Sequence, residues 1–392
     1  MKRNREHFLE CIGCSRRFRP AQIYECPRCG DLLQVGYDYK SLRRKVEASL
    51  SKAGPLCVWR YEEALPVSGK DAVSIGEGGT GLPRSDRLAR ELGMREVYFK
   101  NEGQNPTGSF KDRGMTVAIT RAVEIGAKTV LCASTGNTSA SMAAYAARAG
   151  VKAIVFIPKG KIAKGKLLQA IVHGAKIVQV SGNFDKALEK ARNLARHRKD
   201  LYLVNSLNPY RIEGQKTLAF EIWEQLGRKI PDVVFVPVGN AGNISAIWKG
   251  FWELKELKLT NRVPRMIGVQ AAGASPIAVA YSRGQDRVVT WEHPETSASA
   301  IRIGAPASWK KALRAVSESH GTMLSVSDHE ILRCQRLLAD HEGIFAEPAS
   351  AASVAGFSKA RKMRLIRTRD SVVCVITGHG LKDQKAVTVP IT

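Results

Sequence analysis

The chain has no hydrophobic run of membrane-spanning length. Nowhere in its 392 residues does an uninterrupted apolar stretch approach the roughly 20 that a membrane helix needs. It also lacks the apolar segment of a signal peptide. The N-terminus reads MKRNREHFLECIGC, charged and carrying Glu6 and Glu10. A disulfide framework is missing too. Of eight cysteines, four form two tight pairs near the start, and Cys57, Cys132, Cys334 and Cys374 are scattered. Cys132 and Cys374 fall in apolar, strand-like runs, where a free thiol behaves as a small hydrophobe. These absences together lead to the expectation of a cytoplasmic protein. Acidic residues are scarce as well: 36 Asp and Glu stand against 61 Lys and Arg, a net charge of +25. Such an excess admits a nucleic-acid partner. Yet the cations are spread along the whole chain, and no basic run is interleaved with aromatics. The expectation is therefore a basic surface that favours solubility and attracts phosphorylated ligands, with no nucleic acid as main partner and no membrane.

What is present fits a soluble globular protein. Hydrophobic residues make up 44% and charged residues 25%, and the length suggests two or three domains. Residues 1–36 read as a zinc ribbon. Cys11 and Cys14 form one CxxC knuckle and Cys26 and Cys29 the other, eleven residues later. Four thiolates at tetrahedral geometry suit Zn²⁺, and a unit this small needs such a staple. With all four positions filled by cysteine, the expected role is structural. Residues 37–72 read as a linker with some helix. From 73 to 392 the pattern alternates strands and helices: EVYFK (96–100), TVLCAS (129–134), KAIVFIP (152–158), KIVQV (176–180), VVFVPV (233–238) and VVCVIT (372–377) are the clearest strands. Short apolar runs between helices mark parallel sheets buried on both faces. The expected body is α/β with two lobes.

Four turns carry the chemistry. In NPTGSFKDRGM (105–115) a turn leads into a helix whose first turn holds Lys111. The positive end of the helix dipole there favours a neutral amine, the form able to make a Schiff base. By spacing alone, Lys111 is equally an ordinary surface lysine. ASTGNTSAS (133–141) joins a strand to a helix through small and hydroxyl residues, which suits either an anion or a tight packing turn. VPVGNAGNIS (236–245) leads a buried strand through Gly239, Asn240, Ala241, Gly242 and Asn243 into a helix. Two glycines there allow the backbone to wrap a phosphate. The run is neither GxGxxG nor a Walker loop, so a dinucleotide is not expected. ITGHGLKD (376–383) follows the last strand. Ligands gather at the carboxyl ends of parallel strands, so Thr377 and His379 are expected at such a crevice. For His379 a loop-ordering role is favoured over a general base.

Taken together, with NSLNPYRIEGQKT (205–217), AIRIGAPASW (300–309) and GIFAEPASAAS (343–353), these segments closely resemble the threonine synthases. That family belongs to the tryptophan-synthase-β-like (fold type II) pyridoxal-phosphate enzymes. The resemblance runs from about residue 73 to 383 in matching order, and some members carry a similar CxxC ribbon in front. It implies that Lys111 holds pyridoxal 5′-phosphate covalently and moves protons. It implies that Asn137 bonds the 3′-oxygen of the cofactor, Gly239–Asn243 cup its phosphate, and Thr377 meets its pyridine nitrogen. A hydroxyl does not hold that nitrogen protonated, which moderates the electron sink and suits elimination and replacement at β or γ carbons. Ser134, Thr135, Lys166, Asn205, Ser206 and Arg211 match positions that bind a substrate phosphate. For Asn205 and Ser206, capping of the turn before Pro209 is the alternative. The implied reaction converts O-phospho-L-homoserine and water to L-threonine and phosphate, and the implied assembly is a homodimer. Rival readings are a cysteate synthase using O-phosphoserine and sulfite, a threonine or serine dehydratase, and a zinc-ribbon nucleic-acid binder on an inactive scaffold.

Overall fold

The computed structural model describes residues 7–160 and 164–386, leaving aside the side chains of 164–166 and 384–386. The chain opens with β1 (Phe8–Cys11), β2 (Arg17–Phe18) and β3 (Leu33–Gly36), an antiparallel sheet in the order β2-β1-β3. Alternation places Leu9 and Cys11 of β1, and Leu33 and Val35 of β3, on the buried face. Helix α1 (Tyr39–Leu50) follows, started by the Asp38 side chain, which accepts from the Lys40 amide at 3.1 Å. This is the helix expected within residues 37–72.

The rest of the chain alternates as expected. In order come α2 (Arg87–Glu91), β4 (Glu96–Asn101), α3 (Lys111–Glu124), β5 (Thr129–Ala133), α4 (Asn137–Ala149) and β6 (Lys152–Pro158). Next are α5 (Lys164–Val172), β7 (Lys176–Val180), α6 (Phe184–His197), β8 (Leu201–Leu203), α7 (Pro209–Gln225) and β9 (Val233–Pro237). The last stretch holds α8 (Gly242–Glu256), β10 (Arg265–Ala271), α9 (Pro276–Ser282), α10 (Trp309–Glu318) and β11 (Thr322–Val326). It closes with α11 (Asp328–Glu342), α12 (Pro348–Lys362) and β12 (Ser371–Ile376).

These elements form two compact units. The first takes the chain up to Gly79 and again Asn105–Thr217; the second takes Thr80–Gln104 and the chain from Leu218 onward. The first holds a parallel sheet in the order β7-β6-β5-β8, and the second a parallel sheet in the order β11-β10-β9-β12-β4. All five residues of β5 and all five of β9 are buried, as a strand covered on both faces requires. In the first unit, the ribbon residues Leu9, Cys11, Leu33 and Val35 share one apolar core with Val58, Leu65, Val117 of α3 and Tyr210 of α7. In the second, Val233, Phe235, Val372 and Cys374 pack with Phe357 and Ala360 of α12. Among the described residues, no helix is long and apolar enough to cross a membrane.

Candidate active site and cysteine cluster

The two CxxC knuckles come together. The sulfurs of Cys11, Cys14, Cys26 and Cys29 all lie within 4.8 Å of one another. Cys11 Sγ is 3.3 Å from Cys29 Sγ, and Cys14 Sγ is 3.7 Å from Cys26 Sγ. The amides of Gly13 and Cys14 both donate to Cys11 Sγ at 3.4 Å. Burial raises the Cys26 thiol, but hydrogen bonds from its Cys29, Arg28 and cysteine neighbours outweigh it, and the net shift is downward. The donor set is that of a four-coordinate metal site.

In the first unit, Lys111 is the first residue of α3, with its Nζ 4.0 Å from the centroid of the Phe110 ring. The turn before it is held by Asp112. That buried carboxylate accepts from the Thr107 amide at 2.7 Å, from Thr107 Oγ1 at 2.7 Å and from Ser141 Oγ of α4 at 2.5 Å. Three donors fix the carboxylate, and with it the start of α3. Ser109 Oγ in the same turn is buried without a hydrogen-bond partner. An orphaned hydroxyl is the mark of a group that awaits a ligand.

Helix α3 lies backbone to backbone against α7. A Cβ on Gly214 would stand 1.8 Å from Arg113 O, and one on Gly114 would stand 2.7 Å from Arg211 O. Only glycine permits this approach, which fixes the Lys111 helix beside the Arg211 helix. Gly214→Ala is expected to cost about 1–3 kcal/mol, the usual cost of overpacking. Denaturant unfolding of the holoenzyme measures this directly, and an unchanged midpoint would contradict the contact.

The β8–α7 turn places the remaining first-unit candidates. Arg211 is only 2% exposed. Its Nη1 donates to Val204 O at 3.1 Å, and its Nε has no hydrogen-bond partner. No carboxylate pairs with it among the described residues. Burial lowers its pKa to about 10, so it still carries charge at neutral pH. Burial likewise pushes the neighbouring Cys132 thiol up to about 12, so that sulfur offers no neutralising charge. A buried cation without a counter-charge is costly unless an anion arrives. Asn205 is spent on structure: its Oδ1 accepts from the Ala133 amide and its Nδ2 donates to Ala133 O, both at 2.9 Å. That clamp joins the end of β5, where Ser134 and Thr135 follow, to the start of the turn, where Ser206 follows. Ser134 Oγ accepts from the Gly136 amide at 3.2 Å, and Asn137 opens α4, buried at its first position. Lys166 belongs to the first turn of α5, and its side chain lies outside the described residues.

In the second unit, the glycine loop follows β9. Ala241 is left-handed at φ +64°, a conformation that costs a non-glycine residue about 1–3 kcal/mol and gathers at ligand clamps. Asn240 Oδ1 accepts from the Ala307 amide and Asn240 O from the Ser308 amide, both at 3.1 Å, which locks the loop. A Cβ on Gly239 would meet Ile301 Cα at 3.0 Å, so the loop packs tightly there as well. Both side-chain polar atoms of Asn243, and Ser308 Oγ, are buried without partners. A locked, strained loop at a helix N-terminus with orphaned donors fits an anionic group such as a phosphate. Thr377, buried just after β12, has its Oγ1 3.0 Å from Ser350 Oγ. His379 Nδ1 accepts from the Leu381 amide at 3.2 Å, and its ring stands edge-on to Phe345 at 5.5 Å.

Residues 73–378 match the family model described as pyridoxal-phosphate dependent enzyme. A threonine synthase of Methanocaldococcus jannaschii is 52% identical over 377 residues, covering 96% of this chain and 93% of its relative. The chain belongs to the threonine synthase family of pyridoxal-phosphate dependent enzymes. A threonine synthase of Mycobacterium bovis is 54% identical over 331 residues, covering 84% of this chain and 89% of that one. Among solved structures, threonine deaminase isoform 2 of Solanum lycopersicum superposes with a TM-score of 0.67 at 23% identity, covering 88% of this chain and 86% of the other. At that identity the likeness shows the fold alone.

As a threonine synthase family member, the chain takes pyridoxal phosphate as cofactor and a small amino-acid substrate. Its residues fit the cofactor on the observations above: the loop with orphaned Asn243 and the Lys111 turn with orphaned Ser109. Sequence reasoning missed Asp112, Ser350 and the strain at Ala241. A carboxylate directly after the lysine was a visible signal for the first. The other two arise from contacts and backbone angles that no local pattern encodes.

Proposed function

We propose that this chain converts O-phospho-L-homoserine and water to L-threonine and inorganic phosphate. The observation that carries the reading is Arg211: a buried, uncompensated guanidinium distinct from the Asn240–Asn243 loop. One anion site serves the cofactor phosphate, and the reading needs a second for the substrate phosphate. A dehydratase acting on an unphosphorylated amino acid has no use for the second. Arginine suits bidentate phosphate recognition, and Ser134, Thr135 and Ser206 supply further hydroxyls at the ends of the same clamp. The family resemblance assigns Lys166 as a further point charge.

When bound, pyridoxal phosphate supplies the electron sink that stabilises negative charge beside the substrate nitrogen. The chain does the rest. Lys111 Nζ holds the cofactor, then takes the proton from the substrate Cα and returns protons later. Asn137 would bond the 3′-oxygen of the cofactor, and Gly239–Asn243 would hold its phosphate. The Thr377 hydroxyl, 3.0 Å from Ser350 Oγ, would serve the pyridine nitrogen without holding it protonated. A Cβ proton leaves next. Arg211 holds the leaving phosphate, which takes the electron pair of the Cγ–O bond into a site whose charge already matches it. A proton then returns to Cγ, water adds its hydroxyl at Cβ, and the proton at Cα is restored.

We further take Cys11, Cys14, Cys26 and Cys29 to hold a structural zinc; their clustered sulfurs and the all-cysteine donor set support this. We also read a ribbon over 1–36, a linker over 37–72 and a two-lobed catalytic region over 73–392; the family match over 73–378 supports the last of these. The family resemblance supports a homodimer acting in the cytoplasm, without nucleic acid. The reading is tested by supplying the holoenzyme with O-phospho-L-homoserine, or with O-phosphoserine and sulfite, and measuring the products. Threonine and phosphate in equal amounts from the first mixture is the expected result. Cysteate from the second, with no threonine from the first, would overturn it.

A further inference from the structure

The ribbon touches the catalytic body at one place that matters to the substrate. Strand β8 is the last in the order β7-β6-β5-β8, so one of its edges has no strand neighbour among the described residues. Its Leu201 and Leu203 are nevertheless buried. Two ribbon side chains complete that edge. The Leu203 amide donates to Tyr24 Oη at 3.1 Å, and Gln22 Nε2 donates to Leu201 O. The Tyr24 ring also stands edge-on to Tyr202 at 6.2 Å. Tyr24 is itself held by β3 of the ribbon, since its carbonyl accepts from the Leu33 amide at 3.0 Å.

The other end of the same segment is held too. Tyr37, just after the ribbon's last strand, donates through Oη to Glu213 Oε2 at 2.6 Å. Lys216 Nζ bonds the same carboxylate at 2.5 Å and lies 4.5 Å from the centroid of the Tyr37 ring. Glu213 and Lys216 are both fully buried. His7 Nε2 is 3.0 Å from Tyr210 Oη, next to Arg211. The ribbon thus grips β8 on one side and the first two turns of α7 on the other. Between these grips lie Asn205, Ser206 and Arg211.

We propose that the ribbon is a positioning element for substrate-phosphate binding, with Tyr24 and Tyr37 as its positioning residues. This rests on the reading of Arg211 as the phosphate ligand. An edge strand whose outward amide has no partner can slip or fray, and an unpartnered buried amide is costly. The ribbon supplies the missing partner from 179 residues away in the sequence. It therefore sets the turn that presents Arg211, while the cofactor residues lie on other segments.

The experiment uses holoenzyme of wild type, Tyr24→Phe, Tyr37→Phe and Arg211→Gln. It measures steady-state kinetics with O-phospho-L-homoserine, competitive inhibition by inorganic phosphate, and hydrogen exchange of peptides covering 201–211. For each tyrosine variant we expect KM and the phosphate inhibition constant to rise together by about five- to tenfold, on the scale of one lost hydrogen bond. Exchange at Leu203 and the following turn should quicken. Both kcat and the cofactor absorbance should stay within about twofold. Unchanged phosphate inhibition in both tyrosine variants, with Arg211→Gln impaired, overturns the positioning role alone. Unchanged inhibition in Arg211→Gln overturns the phosphate-ligand reading and this proposal with it. A fall in kcat at constant KM also overturns the proposal, because a merely destabilised enzyme gives that pattern.

Discussion

A Lys111→Ala enzyme should lose turnover by about 10⁴-fold, with its cofactor removable by gel filtration. General acid–base catalysis alone is worth about 10²–10⁴-fold. Lys111 also holds the cofactor, so the upper end is expected. The lysine is not replaceable by a neighbour. Asp112 is committed to Thr107 and Ser141, and Phe110 offers only its ring to the amine. The variant should still fold, since Lys111 is a first-turn residue only partly buried. Its unfolding midpoint in the absence of cofactor should match that of wild type stripped of cofactor. Turnover within tenfold of wild type would mean that another base does the work.

The second large effect is at Arg211, where activity and stability should move in opposite directions. Arg211→Met keeps much of the volume and removes the charge. Loss of a buried charged partner to phosphate is worth roughly 3 kcal/mol, or about a hundredfold in kcat/KM. The same change removes an uncompensated buried cation and should raise the stability of the substrate-free enzyme. In wild type the sign of the pH effect follows from the direction of the shift. Burial depresses the folded pKa to about 10, below the ordinary value of 12.5, so the folded state resists the charged form. The stability cost of that burial is complete below pH 10 and is relieved as pH rises beyond it. Substrate affinity runs the other way, falling as pH rises through about 10. Steady-state kinetics of both proteins between pH 7 and 10.5 check this. A variant that is less stable and equally active would contradict the assignment.

How much of this was legible in the sequence depended on locality. The α/β alternation could be read because strands such as TVLCA in β5 and VVFVP in β9 are short and almost wholly apolar, as burial on both faces demands. Lys111, the glycine loop and the pair of CxxC knuckles are each contained within fewer than twenty residues, so spacing carried them. Strand β11 and helix α11 were missed although a signal was present. Ser327 and Glu330 form a capping box, with the Ser327 amide donating to Glu330 Oε2 at 2.8 Å. Other features had no local signal. The strain at Ala241 belongs to a residue type that seldom adopts positive φ. The orphan status of Arg211 depends on which carboxylates are absent around it in space. The contact of Tyr24 with Leu203, like that of Asp112 with Ser141, joins segments that no periodicity relates.

Lys111 both holds the cofactor and acts on the substrate. Borohydride reduction of the holoenzyme, followed by proteolysis and mass mapping of the pyridoxyl label, tests this at the residue itself. One labelled peptide is expected, carrying the modification on Lys111 within NPTGSFKDRGM, with no label when O-phospho-L-homoserine has displaced the lysine before reduction. A label on any other lysine, or none on the resting enzyme, would contradict it.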